Sequence, residues 1–290
     1  MGHPVCLCAC GRKAGVLKLR PLFLIMAATP KRIVVKFGSG TLANAKGTTL
    51  DERQFRRFAS EIAGLVAENH QCVIVSSGAV AAGLGVLGLK DRPEDLAARQ
   101  ACAAIGQSKL MQSYSSHFAT HGLNVAQLLL TYDDLDSRTA YQNVRNTLAR
   151  IFERGTVVPI INENDPVAVE ELKFGDNDKL SAEVAVLVEA DLLILLTSVD
   201  GLLDASGKTV PVVENIEAVA ELVRAEKGRF SVGGMNSKLQ AVKVALDAGI
   251  PTFIASGHKA GRIPAIVAGK RAGTQFIVPA SSRETVDRAI

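Results

Sequence analysis

From residue 32 onward, short apolar segments alternate with amphipathic segments of helical periodicity. The apolar segments are continuous rather than alternating, which is typical of strands covered on both faces, and they occupy residues 33–37, 72–76, 125–130, 156–161, 192–197, 252–255 and 275–278. Residues 51–68, between the first two strands, place apolar side chains at helical spacing. Strands that alternate with helices in this way predict an α/β fold, a three-layer αβα sandwich with a mostly parallel central sheet.

Ligands of such sheets bind beyond the C-terminal ends of the strands, so the residues after each strand are candidates for a site. The fourth strand is followed by the cluster Asn162-Glu163-Asn164-Asp165, and a second cluster, Asp176-Asn177-Asp178, precedes the next helical pattern. Unpaired carboxylates are rarely buried, so these clusters beside a buried strand indicate a binding site. Each cluster alone also has a structural alternative, since residues 164–166 fit a turn and Asp178 fits a helix N-cap.

A glycine-rich turn follows the first strand, in the sequence Lys36-Phe37-Gly38-Ser39-Gly40. Backbone N–H groups of glycines can approach phosphate oxygens and a lysine supplies positive charge, so the turn predicts a phosphate site. The turn also fits the dinucleotide-binding pattern G-x-G-x-x-A. That interpretation fails on context, because helical periodicity resumes only near Asp51 and the second strand ends in Ser76-Ser77-Gly78, without an acid for a ribose. A plain tight turn with a solvated Lys36 is the remaining alternative.

Two further helix starts are candidates for anion binding. Ser76-Ser77-Gly78-Ala79 offers hydroxyl and N–H groups at the start of a helical segment, although simple N-capping would use the same residues. The segment Val232-Gly233-Gly234-Met235-Asn236-Ser237-Lys238 places a lysine in the first turn of a helix, where the macrodipole favours acids. Lys238 is therefore expected to meet an anion, and a nucleotide phosphate is suitable.

The composition excludes several classes of protein. The formal charge of +4 comes from residues 1–32, which hold six of the 33 basic residues and no acid, leaving 27 basic residues against 29 acidic ones. With three Tyr and no Trp, the chain has little surface for base stacking, and no nucleic-acid partner is expected. No apolar run reaches the roughly 18 residues of a membrane span, so no membrane association is expected. Five cysteines without a disulfide or zinc framework favour a cytoplasmic location.

Residues 1–31 are interpreted as a basic N-terminal tail. The tail is either disordered or the result of a start assigned too early, with Met26 as the true start.

Six segments together resemble the amino acid kinase superfamily, and within it the glutamate 5-kinase family: VVKFGSG, VSSGAVAAG, AAIGQSKLMQ, INENDPVAVEELKFGDNDKLSA, LLTSVDGL and GGMNSKLQAVKVALDAG. INEND followed by GDNDxLSA is the feature that separates the glutamate 5-kinases from their acetylglutamate, carbamate, aspartate and UMP kinase relatives. The resemblance implies one kinase domain over residues 32–290, with the amino-acid site in about 32–185 and the ATP site in about 186–280. It also implies a form without a C-terminal PUA domain.

The resemblance implies a role for each matching residue. The catalytic set is Lys36, Lys238, Asp178 and Asp176; the glutamate set is Ser77, Asp165 and Asn177; and the ATP set is Lys36, Gly38, Ser39, Thr197, Ser198, Val232, Gly233, Gly234, Met235, Asn236, Ser237 and Lys238. It further implies L-glutamate and ATP as substrates, Mg²⁺ as a cofactor whose protein ligands are unknown, and a homodimer or homotetramer. Two positions depart from the family pattern: Ser198 stands where an Asp is common, and Ser231-Val232 stands where a Thr-Gly pair is usual.

The implied reaction is transfer of the γ-phosphoryl group of ATP to the side-chain carboxylate of L-glutamate, the first step of proline biosynthesis. A glutamate side chain with a pKa of about 4.3 is already ionised at neutral pH, so no general base is needed. None of the five histidines lies in a catalytic pattern. The alternatives are a kinase of another acceptor, such as N-acetylglutamate, and a non-catalytic nucleotide- or amino-acid-binding regulator on the same fold. An NAD-dependent dehydrogenase is a third alternative function.

Overall fold

The computed structural model describes residues 29–168, 177–204, 206–217, 219 and 234–279. Three residues of the predicted site, Asp176, Val232 and Gly233, lie outside the described residues, as does the basic tail through residue 28. Within the described part of the chain, no helix has both the length and the apolar character needed to cross a bilayer.

Eight strands form one sheet in the order β3-β4-β2-β1-β5-β7-β8-β6. Their bounds are β1 Arg32–Phe37, β2 Gln71–Val75, β3 Asn124–Leu130, β4 Val157–Glu163, β5 Leu192–Thr197, β6 Val212–Val213, β7 Thr252–Ser256 and β8 Thr274–Phe276. All neighbouring pairs are parallel except β7 with β8. The mostly parallel sheet is confirmed, and all seven predicted strands are present. The sequence missed β6.

The described helices are α1 Ser39–Leu42, α2 Glu52–Ala67, α3 Ala79–Leu87, α4 Leu96–Ala119, α5 Tyr132–Asp136, α6 Arg138–Phe152, α7 Asn177–Leu187, α8 Met235–Asp247 and α9 Arg262–Val267. The predicted helix 51–68 is α2, with Asp51 as its N-cap residue accepting a hydrogen bond from the Arg53 N–H. The sequence did not predict α1, because Gly38, Ser39 and Gly40 indicate a turn rather than a helix.

The two faces of the sheet bury separate apolar clusters, and alternation along β1 assigns its residues to them. Ile33, Val35 and Phe37 belong to the cluster that contains residues of α2, α4 and α9. Val34 belongs to the cluster that contains residues of α6, α7 and α8. Helices therefore cover both faces, which confirms the three-layer αβα sandwich. Lys36 lies on the same face of the strand as Val34, toward α7 and α8.

Helices α3 and α4 approach each other so closely that glycine is required where they cross. A Cβ added to Gly83 would lie 1.9 Å from the Cys102 carbonyl oxygen, and one added to Gly106 would lie 1.9 Å from the Ala79 carbonyl oxygen. Backbone therefore packs against backbone at this crossing. The contact fixes the first turn of α3, at Ala79, beside the C-terminal end of β2.

Candidate active site

Two lysines from different elements share one buried carboxylate. Lys36 Nζ, on β1, lies 2.5 Å from Asp178 Oδ1, and Lys238 Nζ, on α8, lies 2.7 Å from Asp178 Oδ2. The exposed fractions of the side chains of Lys36, Asp178 and Lys238 are 5%, 0% and 12%. A buried ion is stable only when it is paired, and the Asp178 carboxylate pairs with both ammonium groups.

Asp178 reaches both lysines because it lies in the first turn of α7, on the face of the sheet toward which Lys36 points. An acid in the first turn of a helix also suits the macrodipole. The Ser181 hydroxyl donates to the Asp178 carbonyl oxygen at 2.5 Å, and the Ser237 hydroxyl lies 3.5 Å from Asp178 Oδ2. The side chain of Asp178 therefore binds lysines rather than capping the helix.

The sequence predicted an anion beside Lys238, and a nucleotide phosphate was the expected one. In the structure the anion at this distance is the carboxylate of Asp178. The phosphate contact of Lys238 stays a prediction.

Two helix starts without acids lie next to the trio. Gly38 is the N-cap residue of α1 and Gly234 that of α8; neither helix has a side-chain cap or an acid in its first turn. Gly234 has φ +97°, a left-handed conformation in which glycine is unstrained. A Cβ added to Gly38 would lie 3.7 Å from Lys36 Nζ. The N–H groups of these turns and the lysines together form a positive environment suited to phosphate oxygens.

A cleft of about 800 Å³ opens between α1, α3 and the ends of β2 and β4. Of the predicted site, Ser39, Ser77, Asp165 and Asn177 line it. It also has lining residues that the sequence did not single out, mainly from the segment 43–54 and from separate loops: Asn44, Lys46, Asp51, Arg53, Arg92 and His258. The polar run after α1 was the only sequence signal for these residues, because His258 and Arg92 are brought in by tertiary packing.

A chain of amide side chains forms the floor of the cleft. The Asn177 amide nitrogen donates to the Ser76 carbonyl oxygen, to Asn162 Oδ1 at 2.7 Å and to the Ser77 hydroxyl at 3.3 Å. Asn162 in turn donates to Gln107 Oε1 at 2.8 Å. The Asn177 amide is thus already shared among protein acceptors. Its predicted contact with a substrate carboxylate requires exchange of one of these bonds.

Asp165 lies half-buried at the rim of the cleft, in a turn where the Val167 and Ala168 N–H groups donate to the Asn164 carbonyl oxygen at 3.0 and 3.1 Å. The turn expected for residues 164–166 is therefore present. Burial raises the pKa of the Asp165 carboxyl to about 6, while the charge of Arg92 opposes the shift. Burial thus disfavours the ionised form of Asp165, and a cation beside the carboxylate would offset this effect.

The other predicted nucleotide residues that the structure describes lie on the other side of β1. Thr197 ends β5, its carbonyl oxygen accepts from the Gly257 N–H at 2.7 Å, and Ser198 beside it is exposed. Met235 and Asn236 form the first turn of α8. Because β1 lies between β2 and β5, the trio separates two regions: the cleft, and the surface at the start of α8 and the end of β5.

The described part of the site offers few carboxylates to a divalent cation. Among the described residues, no group of three or more His, Cys, Asp or Glu side chains could hold a metal ion, and both Asp178 oxygens face lysines. Mg²⁺ commonly keeps several waters and binds through substrate phosphates with one or two carboxylates. The described carboxylates therefore do not by themselves form a Mg²⁺ site.

Buried lysines, helix N-termini and a polar cleft at the carboxyl ends of parallel strands are the features expected of an α/β protein that binds a phosphate beside a small polar ligand. The chain belongs to the amino acid kinase family, whose sequence profile matches residues 31–256.

Relatives and a solved structure agree with this assignment. The glutamate 5-kinase of Moorella thermoacetica is 46% identical over 254 residues, which are 85% of this chain and 67% of the relative. Those of Thermus thermophilus and Geobacillus kaustophilus are 47% and 46% identical, over 85% and 86% of this chain and 67% and 68% of the relatives. The crystal structure of the UMP kinase of Bacillus anthracis matches with a TM-score of 0.59 and 15% identity, covering 87% of this chain and 98% of that chain, which shows the shared fold.

Proposed function

We propose that the protein transfers the γ-phosphoryl group of ATP to the side-chain carboxylate of L-glutamate, giving L-glutamyl 5-phosphate and ADP, as the first step of proline biosynthesis. The relatives named glutamate 5-kinase support this substrate pair. The observation that carries the proposal is the position of Asp178 between Lys36 and Lys238, next to a cleft lined by acid and amide side chains.

The chemistry needs no general base, because the attacking carboxylate is ionised at neutral pH. It does need two anions held in line and charge stabilisation on the moving phosphoryl group. Lys36 and Lys238 supply fixed positive charge for the second task. Asp178 holds both ammonium groups in place, so little reorganisation is required when the phosphoryl group moves between them. Mg²⁺, when bound, would neutralise part of the charge on the phosphate oxygens.

The cleft offers separate partners for the groups of glutamate. Asp165 is a partner for the ammonium group, which would relieve the cost of its burial. The first turn of α3 lines the cleft and has neither a side-chain cap nor an acid, so its N–H groups and the Ser77 hydroxyl are donors for a carboxylate. Asn177 would then support Ser77 and the end of β2 as well as the ligand.

The strand order supports a division of labour along the chain. Strands β1 to β4 occupy one half of the sheet and β5 to β8 the other, with β1 and β5 adjacent. We assign the amino-acid site to the first half, about residues 32–185, and the ATP site to the second, about 186–280, sharing β1. Use of Mg²⁺, a cytoplasmic location and assembly into a homodimer or homotetramer stay predictions of the family resemblance.

The assay that tests this proposal compares acceptors. Purified protein with Mg-ATP would be given L-glutamate, N-acetyl-L-glutamate, L-aspartate or no acceptor, with hydroxylamine present to trap the acyl phosphate. ADP release and hydroxamate formation are expected with L-glutamate alone. Asp165 can pair with the free ammonium group of L-glutamate, whereas the neutral acetamide of N-acetyl-L-glutamate forms no ion pair. Turnover with a different acceptor would show that this acceptor, and not L-glutamate, is the substrate. Absence of turnover on all acceptors, with ATP still bound, would favour a regulator.

Asp165→Ala is expected to raise the KM for glutamate roughly 10- to 100-fold, the range that follows from losing one contact to a charged group. The value of kcat should change far less, because the proposed role is binding. Initial rates against glutamate at saturating Mg-ATP measure both constants. Asp133→Asn, an exposed acid at the start of α5, is the matched control and should leave both unchanged. A collapsed kcat with an unchanged KM would instead place Asp165 in the chemistry.

The activity should also depend on pH through Asp165. Because burial raises the pKa of this carboxyl to about 6, it is anionic above pH 6 and protonated below, and only the anion attracts an ammonium group. The value of kcat/KM for glutamate is therefore expected to be maximal well above pH 6 and about half-maximal near pH 6, and to fall at lower pH by up to about tenfold per pH unit. Rates from pH 5 to 8 with limiting glutamate measure this. The step should be absent in Asp165→Asn; a wild-type profile that is flat to pH 5 would exclude Asp165 as the titrating group.

A further inference from the structure

The loop between β7 and α9, residues 257–261, is held at both ends by two side chains of α2. The Arg57 guanidinium donates to the Gly257 carbonyl oxygen, and Glu61 Oε1 accepts from the Gly261 N–H at 2.9 Å. The two side chains lie one turn apart on the helix, with Arg57 Nη1 3.6 Å from Glu61 Oε1. Their exposed fractions are 20% and 11%. A mostly buried ion pair therefore spans the loop.

The opposite side of the same loop touches the elements that we propose bind the nucleotide phosphates. The Gly257 N–H donates to the Thr197 carbonyl oxygen at 2.7 Å, at the end of β5. A Cβ added to Gly257 would lie 2.3 Å from Thr41 Cγ2, in α1. His258, the next residue, lines the cleft. The loop thus lies directly between the end of β5 and the helix that follows the glycine-rich turn.

A further side-chain attachment of the loop, between Lys259 and Asp200, is weak by comparison. Lys259 Nζ lies 2.7 Å from Asp200 Oδ2, but these side chains are 53% and 41% exposed, and exposed ion pairs contribute little to a structure. The Arg57 guanidinium also donates to the Gln54 side-chain oxygen and lies over the Phe58 ring, 4.3 Å from its centre. These contacts within α2 therefore orient the Arg57 side chain toward the loop.

We propose that Arg57 and Glu61 are positioning residues of the nucleotide side of the site. By holding both ends of the 257–261 loop, they set its distance from α1 and from the end of β5, where the nucleotide phosphates would bind. The inference rests on the proposed function, which assigns the nucleotide to this side of β1. Loss of the pair would move the loop relative to α1 and the end of β5, together with His258, which lines the cleft. The floor of the glutamate cleft, built by Asn162 and Asn177, would stay in place.

Arg57→Met tests the inference, because it removes the donors and the charge and keeps an apolar stem of similar length. The KM for ATP is expected to rise roughly tenfold, less than the roughly 10²-fold that a misplacement of about 1 Å can cost, while the KM for glutamate stays within about twofold. Arg57→Lys should recover part of the loss, since it restores a charged donor. Arg56→Met, the exposed neighbour on α2, is the matched control and should change neither constant.

A binding readout separates this inference from the proposed reaction. The rise in melting temperature caused by Mg-ATP should be smaller in Arg57→Met than in wild type, and the rise caused by glutamate should be equal. Equal increases in both KM values, or an undiminished ATP-dependent rise, would overturn the positioning role. Should Arg57→Met fail to fold, Arg57→Lys carries the same comparison. A wild type that binds ATP without turnover would refute the kinase proposal, while the thermal measurement would still decide the role of Arg57.

Discussion

Lys238→Ala is expected to lower kcat roughly 10²- to 10³-fold, the typical cost of removing one preorganised electrostatic contact from a transition state. The ammonium group is held 2.7 Å from Asp178 with 12% of its side chain exposed, so little solvent screens its charge. The effect should be larger on kcat than on the KM for ATP, because the charge on the moving group develops in the transition state. Single-turnover phosphoryl transfer at saturating substrates measures this step directly.

Lys243 provides the control on the same helix. It is 52% exposed and pairs at 3.2 Å with both Glu217 and Asp247, so Lys243→Ala should change the activity little. A Lys238→Ala variant with near-wild-type kcat would remove Lys238 from the mechanism. A variant in which only the melting temperature falls would leave it a structural partner of Asp178.

Asp178→Ala is expected to have the second large effect, on stability as well as on rate. Its removal takes away the carboxylate that pairs with two ammonium groups whose side chains are only 5% and 12% exposed. Breaking a buried ion pair by deleting one partner typically costs about 3–5 kcal/mol in the free energy of unfolding. Urea unfolding followed by circular dichroism measures this cost, and kcat should fall at least as far as in Lys238→Ala.

Binding of Mg-ATP should restore part of the lost stability of Asp178→Ala, because phosphate oxygens replace the missing anion beside the lysines. The matched control is Asp247→Asn, an exposed acid of α8 that pairs with Lys243, and its unfolding free energy should stay within about 0.5 kcal/mol of wild type. An Asp178→Ala variant as stable as wild type would contradict the compensating role of this carboxylate.

The sheet could be predicted from the sequence because its strands are continuous apolar runs. The strand prediction was wrong where the apolar pattern ends or is too short to recognise. Strand β4 was predicted to end at Ile161, but Asn162 and Glu163 continue the pairing with Leu129 and Leu130 of β3. Polar residues at the end of a strand give no periodic signal, although they are the ones that line the site. β6 has only two residues, too few to produce a pattern.

The candidate site was predictable in part. The clusters around Asp165 and Asp178 could be found because acids and amides at the end of a buried strand have no packing role. The pairing of Asp178 with Lys36 and Lys238 could not be derived from residue spacing, which does not give distances in the fold; the family resemblance alone grouped the three residues. The same holds for His258 and Arg57, whose positions depend on how the loop after β7 packs on α2.

The position of β1 in the sheet has a consequence for folding. β1 pairs with β2 and β5, and its partner in the second pairing lies about 160 residues further along the chain, with Ile33 opposite Leu192. Such distant contacts form late, because the chain between them must first be ordered. During synthesis, β1 would have one open edge until β5 has left the ribosome. We therefore expect nascent chains that end before Leu192 to be prone to aggregation, and the pairing of Lys36, Asp178 and Lys238 to be among the last events of folding.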